Sequence, residues 1–160
     1  MIPLCRTLAK FAWATGAWAP ACVLILHKFL SIRGYQNQID WWNHYSGGLA
    51  FSFFVWKSFP IFGRWLGTVT PIGKIAITFL AGCSAALCWD IVEFLSDLIL
   101  GTDIQKSISE TMMDLLNGFL GCSTTTVILC FLLFRARARL ARQNAATVTR
   151  EELKRAVIRR

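Results

Sequence analysis

Negative charge is scarce in this chain: nine Asp and Glu stand among 160 residues, against seventeen Lys and Arg. The signatures of soluble enzyme chemistry are missing altogether. There is no G-x-x-x-x-G-K-[ST] phosphate loop, no H-E-x-x-H zinc helix and no G-x-S-x-G nucleophile turn, which sets aside P-loop NTPases, zincins and α/β-hydrolases. The G-x-G-D of intramembrane aspartyl proteases and the tandem aspartates of lipid-headgroup phosphotransferases are absent as well. None of the six cysteines, Cys5, Cys22, Cys83, Cys88, Cys122 and Cys130, belongs to a C-x-x-C pair. They read as small apolar packing residues rather than as a disulfide frame or a zinc site. Internal repeats are lacking, and the one low-complexity stretch is the Arg-Ala run at 135–142.

What the chain has instead is apolar length. Hydrophobic residues make up 55% of it, with seven Trp and twelve Phe, and its mean hydropathy is +0.49. A membrane span needs about 20 consecutive apolar residues. Four blocks meet that need, near Leu8–Leu30, Trp41–Phe62, Gly73–Leu100 and Ser109–Phe134, and no charge falls between Leu115 and Phe134. The first block follows Arg6 and Lys10 but is longer than a signal-peptide core, and no A-x-A-like site follows it closely; it predicts a retained span kinked at Pro20. The fold class is therefore all-α: a polytopic membrane protein with four transmembrane helices in a bundle.

Basic residues near span ends stay on the cytoplasmic side. With the N-terminus inside, that side collects Arg6, Lys10, Lys57, Arg64, Lys74 and the nine basic residues from Arg135 onward, leaving Lys28, Arg33 and Lys106 opposite. Both termini are thus expected in the cytoplasm of a bacterial inner-membrane protein. Residues 1–134, the transmembrane domain, carry eight Lys/Arg against seven Asp/Glu, whereas the tail at 135–160 carries nine against two. Thr149 with Glu152, and Glu151 four residues before Arg155, predict a short C-terminal helix. Its partners are expected to be the bilayer and anionic lipid head groups, not nucleic acid, since no aromatic residues interleave the charges.

Acidic residues in such surroundings are the informative ones. A carboxylate at the centre of a span costs about 3 kcal/mol on insertion scales, so these groups should face one another or a polar cavity. At about 100° per residue, Asp40, His44 and Gly47 share one helix stripe, Asp90, Glu93 and Asp97 a second, and Glu110, Asp114 and Asn117 a third. All fall in the outer half of the bundle. Rising about 1.5 Å per residue, Asp90 lies roughly 15 Å below the outer end of its helix. Gly47, Gly48, Gly118 and Gly121 lie where the helices could approach closely.

Several carboxylates without nearby Lys or Arg repel one another unless protons or a cation intervene. Oxygen ligands with one imidazole suit a divalent ion such as Mg²⁺, Mn²⁺ or Zn²⁺, which could activate water or polarise a phosphoryl oxygen. His44, Asp90, Glu93 and Asp114 are accordingly the candidate metal ligands and catalytic groups, and Asp40, Glu110 and Asn117 the candidate substrate- or ion-binding groups.

The ordered set Asp40-Trp41-Trp42-Asn43-His44-Tyr45-Ser46-Gly47-Gly48, then Trp89-Asp90-Ile91-Val92-Glu93, then Glu110 with Asp114-Leu115-Leu116-Asn117-Gly118-Phe119-Leu120-Gly121, resembles the VanZ-like membrane proteins. It is more similar still to the YjdF-type inner-membrane proteins, across roughly residues 38–124. The resemblance implies a small envelope protein with an Asp and His heading one span, an acidic residue in the next and D-x-x-N-x-x-G in the last. Three functions stay open: an enzyme or binding protein for an envelope lipid or lipid-linked substrate, a proton- or cation-binding transport protein acting as a homo-oligomer, and a structural accessory subunit.

Overall fold

The computed structural model describes residues 2–158, with side chains described at 6–35 and 39–147. Among these residues every regular element is helical: α1 (Ile2–Thr15), α2 (Trp18–Ile32), α3 (Gln36–Phe62), a 3₁₀ turn (Gly63–Leu66), α4 (Pro71–Leu100) and α5 (Ile108–Ile158). Two of them, α4 and the Ile108–Thr147 part of α5, are long and apolar enough to cross a membrane. A third crossing is available if α1 and α2 count as one span, broken by a 101° bend. Helix α3 is long enough at 27 residues, but Asp40, Asn43, His44, Lys57 and three serines dilute its apolar content.

The break between α1 and α2 falls at Gly16, not at Pro20 as the sequence suggests. Gly16 adopts φ +74°, a left-handed conformation that costs other L-residues about 1–2 kcal/mol. A Cβ there would come within 2.9 Å of the Phe53 ring. Thr15 is fully buried beside it, its hydroxyl donating to the Phe11 carbonyl at 2.8 Å, while the Ser58 hydroxyl of α3 donates to the Thr15 carbonyl at 3.4 Å. Pro20 sits in the first turn of α2, where a missing N–H leaves no helical bond unmade.

The ends of α4 follow from local chemistry. Thr70 caps its start, accepting from the Gly73 N–H at 3.0 Å, with Pro71 at the first helical position. Gly101, at φ +66°, ends it. Helix α5 continues through the basic tail instead of giving way to the separate short helix expected near the C-terminus. No Gly or Pro occurs after Gly121, and Ala, Arg and Leu favour helix, so nothing stops it. The side chains of Thr149, Glu151, Glu152 and Arg155, like that of Cys5, lie outside the described residues.

The chain divides into two compact units, Met1–Val127 and Ile128–Arg160. In the second, Arg135, Arg137, Arg139 and Arg142 are exposed, and the Arg135 guanidinium lies 5.3 Å from the centre of the Phe131 ring. The first unit is built inside out. Its described buried polar side chains are Thr15, His44, Ser52, Ser58, Thr78, Asp90, Asp114, Asn117 and Thr125, against only Ala50, Ile75 and Cys122 among apolar ones. Leu80, Ile91, Val92, Phe94 and Leu98 are meanwhile exposed along α4. Such a surface fits hydrocarbon, in which apolar side chains need no cover and polar ones must find each other.

Helices α3, α4 and α5 meet along a seam of small residues. A Cβ on Gly48 would strike the Gly118 carbonyl oxygen, one on Gly121 the Tyr45 carbonyl oxygen, and one on Gly82 the Ser52 hydroxyl. Cys122, wholly buried, donates from its thiol to the Gly48 carbonyl at 3.6 Å. Thr125 donates to the Leu49 carbonyl at 3.2 Å, and the Tyr45 and Thr124 hydroxyls pair at 3.1 Å. The close approach belongs to Gly48; Gly47 has open space beside it.

Candidate cation site and adjoining cavity

This seam brings three polar stripes to one place, with His44 at the centre. On α3, Asp40 is one turn before His44, its Oδ1 3.7 Å from Nε2. From α5, Asp114 Oδ1 approaches the same nitrogen at 3.7 Å. From α4, Asp90 Oδ1 stands 3.5 Å from Nδ1 on the other side of the ring. Glu93, one turn beyond Asp90, is half-buried, and its Oε1 accepts from the Trp89 indole N–H at 2.6 Å. That bond orients the carboxylate from outside the cluster, as supporting residues do around metal ligands.

Two overlapping sets result, Asp40 with His44 and Asp114, and His44 with Asp90 and Glu93. Within each set the possible ligand atoms all lie within 4.8 Å of one another. Atoms bound at about 2.0–2.1 Å to one small divalent ion stand roughly 3.0–3.5 Å apart, so the 3.5 and 3.7 Å separations at His44 need close by only a few tenths of an ångström. Those distances are too long for direct hydrogen bonds. Asp90 makes the point more sharply: both of its carboxylate oxygens are buried without a hydrogen-bond partner. A neutral imidazole carries one N–H and cannot donate toward both flanks. The donor set, acidic oxygen with one imidazole, fits a divalent ion and fits protons shared between carboxylates.

The other sequence candidates are placed differently. Asn117 is buried one turn beyond Asp114, beside the Gly118 contact. Glu110 serves the start of α5, accepting from the Lys106 N–H at 3.0 Å while its own N–H donates to the Ser107 hydroxyl at 3.1 Å. Asp97 organises the α4–α5 loop: its two oxygens accept from the Thr102 hydroxyl at 2.6 Å and from the Ile104 and Gln105 N–H groups at 2.8 Å. Gln105 in turn donates from its side chain to the Asp90 carbonyl at 3.0 Å, tying the loop to the site.

Beside the cluster a cavity of about 280 Å³ opens between α2, α3 and α4. Val23, Leu24, Phe51 and Ala85 give it apolar walls, and Gly47 leaves it room. Its polar wall is His27, Asn43 and His44, so His44 belongs to both cavity and cluster. The Asn43 amide donates to His27 Nδ1 at 2.6 Å. Sequence reasoning missed His27, Asn43 and Trp89. Asn43 was within reach, three residues after Asp40 and four before Gly47 on the same stripe. His27 carried a signal too, as an ionisable residue inside the apolar run Val23–Phe29.

No family model matches the chain, and no solved structure matches it. It is similar to an uncharacterized protein of Thermotoga maritima, 29% identical over 108 residues that cover 65% of this chain and 54% of that protein. The chain thus spans about half the length of the curated relative it matches.

Proposed function

We propose that this chain is a VanZ/YjdF-like multi-pass protein of the bacterial inner membrane that holds a divalent cation at His44, Asp90 and Glu93, with Asp114 facing the other ring nitrogen of His44, and uses it to bind, and act on, an envelope lipid or lipid-linked substrate. In this reading α1–α2, α3, α4 and α5 provide four crossings. Both termini face the cytoplasm, the basic tail meets anionic head groups, and the site lies in the outer half of the bundle. The observation that carries the proposal is the pairing of Asp90's two buried, unpartnered oxygens with a largely apolar cavity that shares His44. The first calls for a positive charge, and the second suits the apolar part of an amphiphile. A bound cation supplies Lewis acidity toward a phosphoryl or carbonyl oxygen, or an activated water. Asp40, at the half-exposed edge of the cluster, would meet the incoming polar group.

The test is elemental analysis of the detergent-purified protein beside the Asp90→Ala/Asp114→Ala variant. A stoichiometric divalent metal in the wild type, lost in the variant, is the expected result. Equal, near-zero metal in both removes the cation from the account and leaves a proton-sharing carboxylate cluster.

A further inference from the structure

The cavity contains a second imidazole that the cation cluster does not use. His27 belongs to neither set of potential ligands, yet it lines the same cavity as His44. Its ring is fixed from α3, where the Asn43 amide nitrogen lies 2.6 Å from Nδ1. An amide NH₂ only donates, so Nδ1 accepts, and the neutral ring carries its proton on Nε2. An N–H donor on the wall of an apolar cavity calls for an oxygen acceptor.

The charge balance narrows what that acceptor is. Among the described residues no Lys or Arg lines the cavity, and the neighbouring cluster is acidic, so an anionic group could enter only alongside a cation. Divalent ions held by a few carboxylates typically complete their shells with phosphate oxygens. The volume of about 280 Å³ corresponds to roughly nine waters at ~30 Å³ each, room for the near part of one apolar chain.

We infer that His27, held by Asn43, is the headgroup donor of this site: it contacts a phosphoryl oxygen of a single-chain amphiphile whose tail occupies the cavity while the His44 cluster carries the cation. This rests on the cation reading above. The full chain in phosphatidylcholine nanodiscs with Mg²⁺ is photolabelled with dodecyl phosphate bearing a diazirine on its chain, and the labelled peptides are mapped. Metal content is measured on the same samples. Labelling is expected at the cavity wall around Val23, Leu24, Phe51 and Ala85. It should fall about tenfold or more in His27→Leu, the worth of a hydrogen bond to a charged group, with metal content unchanged. His27→Gln, which keeps an N–H near the Nε2 position, should restore most of it.

Equal labelling in wild type and His27→Leu overturns the inference. So does equal labelling by the diazirine-bearing dodecanol, which has no phosphoryl group, or displacement by inorganic phosphate as effective as by unlabelled dodecyl phosphate. Loss of metal in His27→Leu would make His27 part of the cation cluster, overturning this assignment while sparing the cation. A wild-type protein empty of metal overturns both readings.

Discussion

At Asp90 the protein keeps a carboxylate out of water with nothing donating to it. An uncompensated buried charge is costly, and removing it commonly stabilises a protein while removing function. In metal-chelated protein, Asp90→Asn should therefore raise thermal stability by about 1–2 kcal/mol, whereas with metal present it should weaken cation affinity by more than about tenfold. A residue that merely locked helix register would respond in the opposite way, losing stability under both conditions; melting in detergent with and without chelator separates the two. Trp89→Phe removes the indole N–H held by Glu93, along with part of a ring that lines the cavity, and should weaken cation affinity by about 10–100-fold with little change in the melting temperature of the chelated protein. Isothermal titration with Mn²⁺ reads that change.

Among elements, the decisive contacts are those where helices touch backbone to backbone. Gly121→Ala places a methyl against the Tyr45 carbonyl oxygen and 2.9 Å from the Leu49 nitrogen, atoms that cannot rotate away. It should cost about 1–3 kcal/mol or more and reduce bound metal, because it parts α5, with Asp114, from α3, with His44. Gly47→Ala, inside α3 and facing open space, should cost no stability and raise it by up to about 1 kcal/mol, and so serves as the control in a thermal-aggregation assay. The convergence of Asp40 and His44, Asp90 and Glu93, and Asp114 was legible because a three- or four-residue spacing sets azimuth on a helix wherever it packs. Asp97 and Glu110 obey the same spacing, yet they lie at helix ends, where unpaired loop and first-turn N–H groups claim their oxygens. Periodicity does not carry that competition. Nor does it carry the 101° bend at Gly16, because a left-handed glycine in an apolar run looks like any other small residue, and Pro20 offers a more obvious but incorrect place to turn. Without that bend the position of α2, and with it the role of His27, could not be foreseen.

Across the first unit, polar side chains fill the interior and apolar ones face outward. That inversion was anticipated in composition by the long apolar runs. The number of crossings was less so, because α3 combines a span's length with the site's polar residues. Orientation is checked by reporter fusion. A green fluorescent protein joined to the C-terminus should fluoresce and an alkaline phosphatase at the same point should stay inactive, with the reverse pattern expected at 101–107, between α4 and α5. Opposite activities would move the basic tail and the site to the wrong faces of the membrane.

The central claim, that a cation is held by the imidazole of His44 together with Asp90 and Glu93, is tested most directly by electron spin-echo envelope modulation of Mn²⁺ bound to the purified protein. The account predicts a single directly coordinated histidine nitrogen, replaced by the ¹⁵N pattern on labelling histidine and abolished in His44→Gln but unchanged in His27→Gln. Bound Mn²⁺ with no nitrogen modulation, or with modulation that survives His44→Gln, would contradict it.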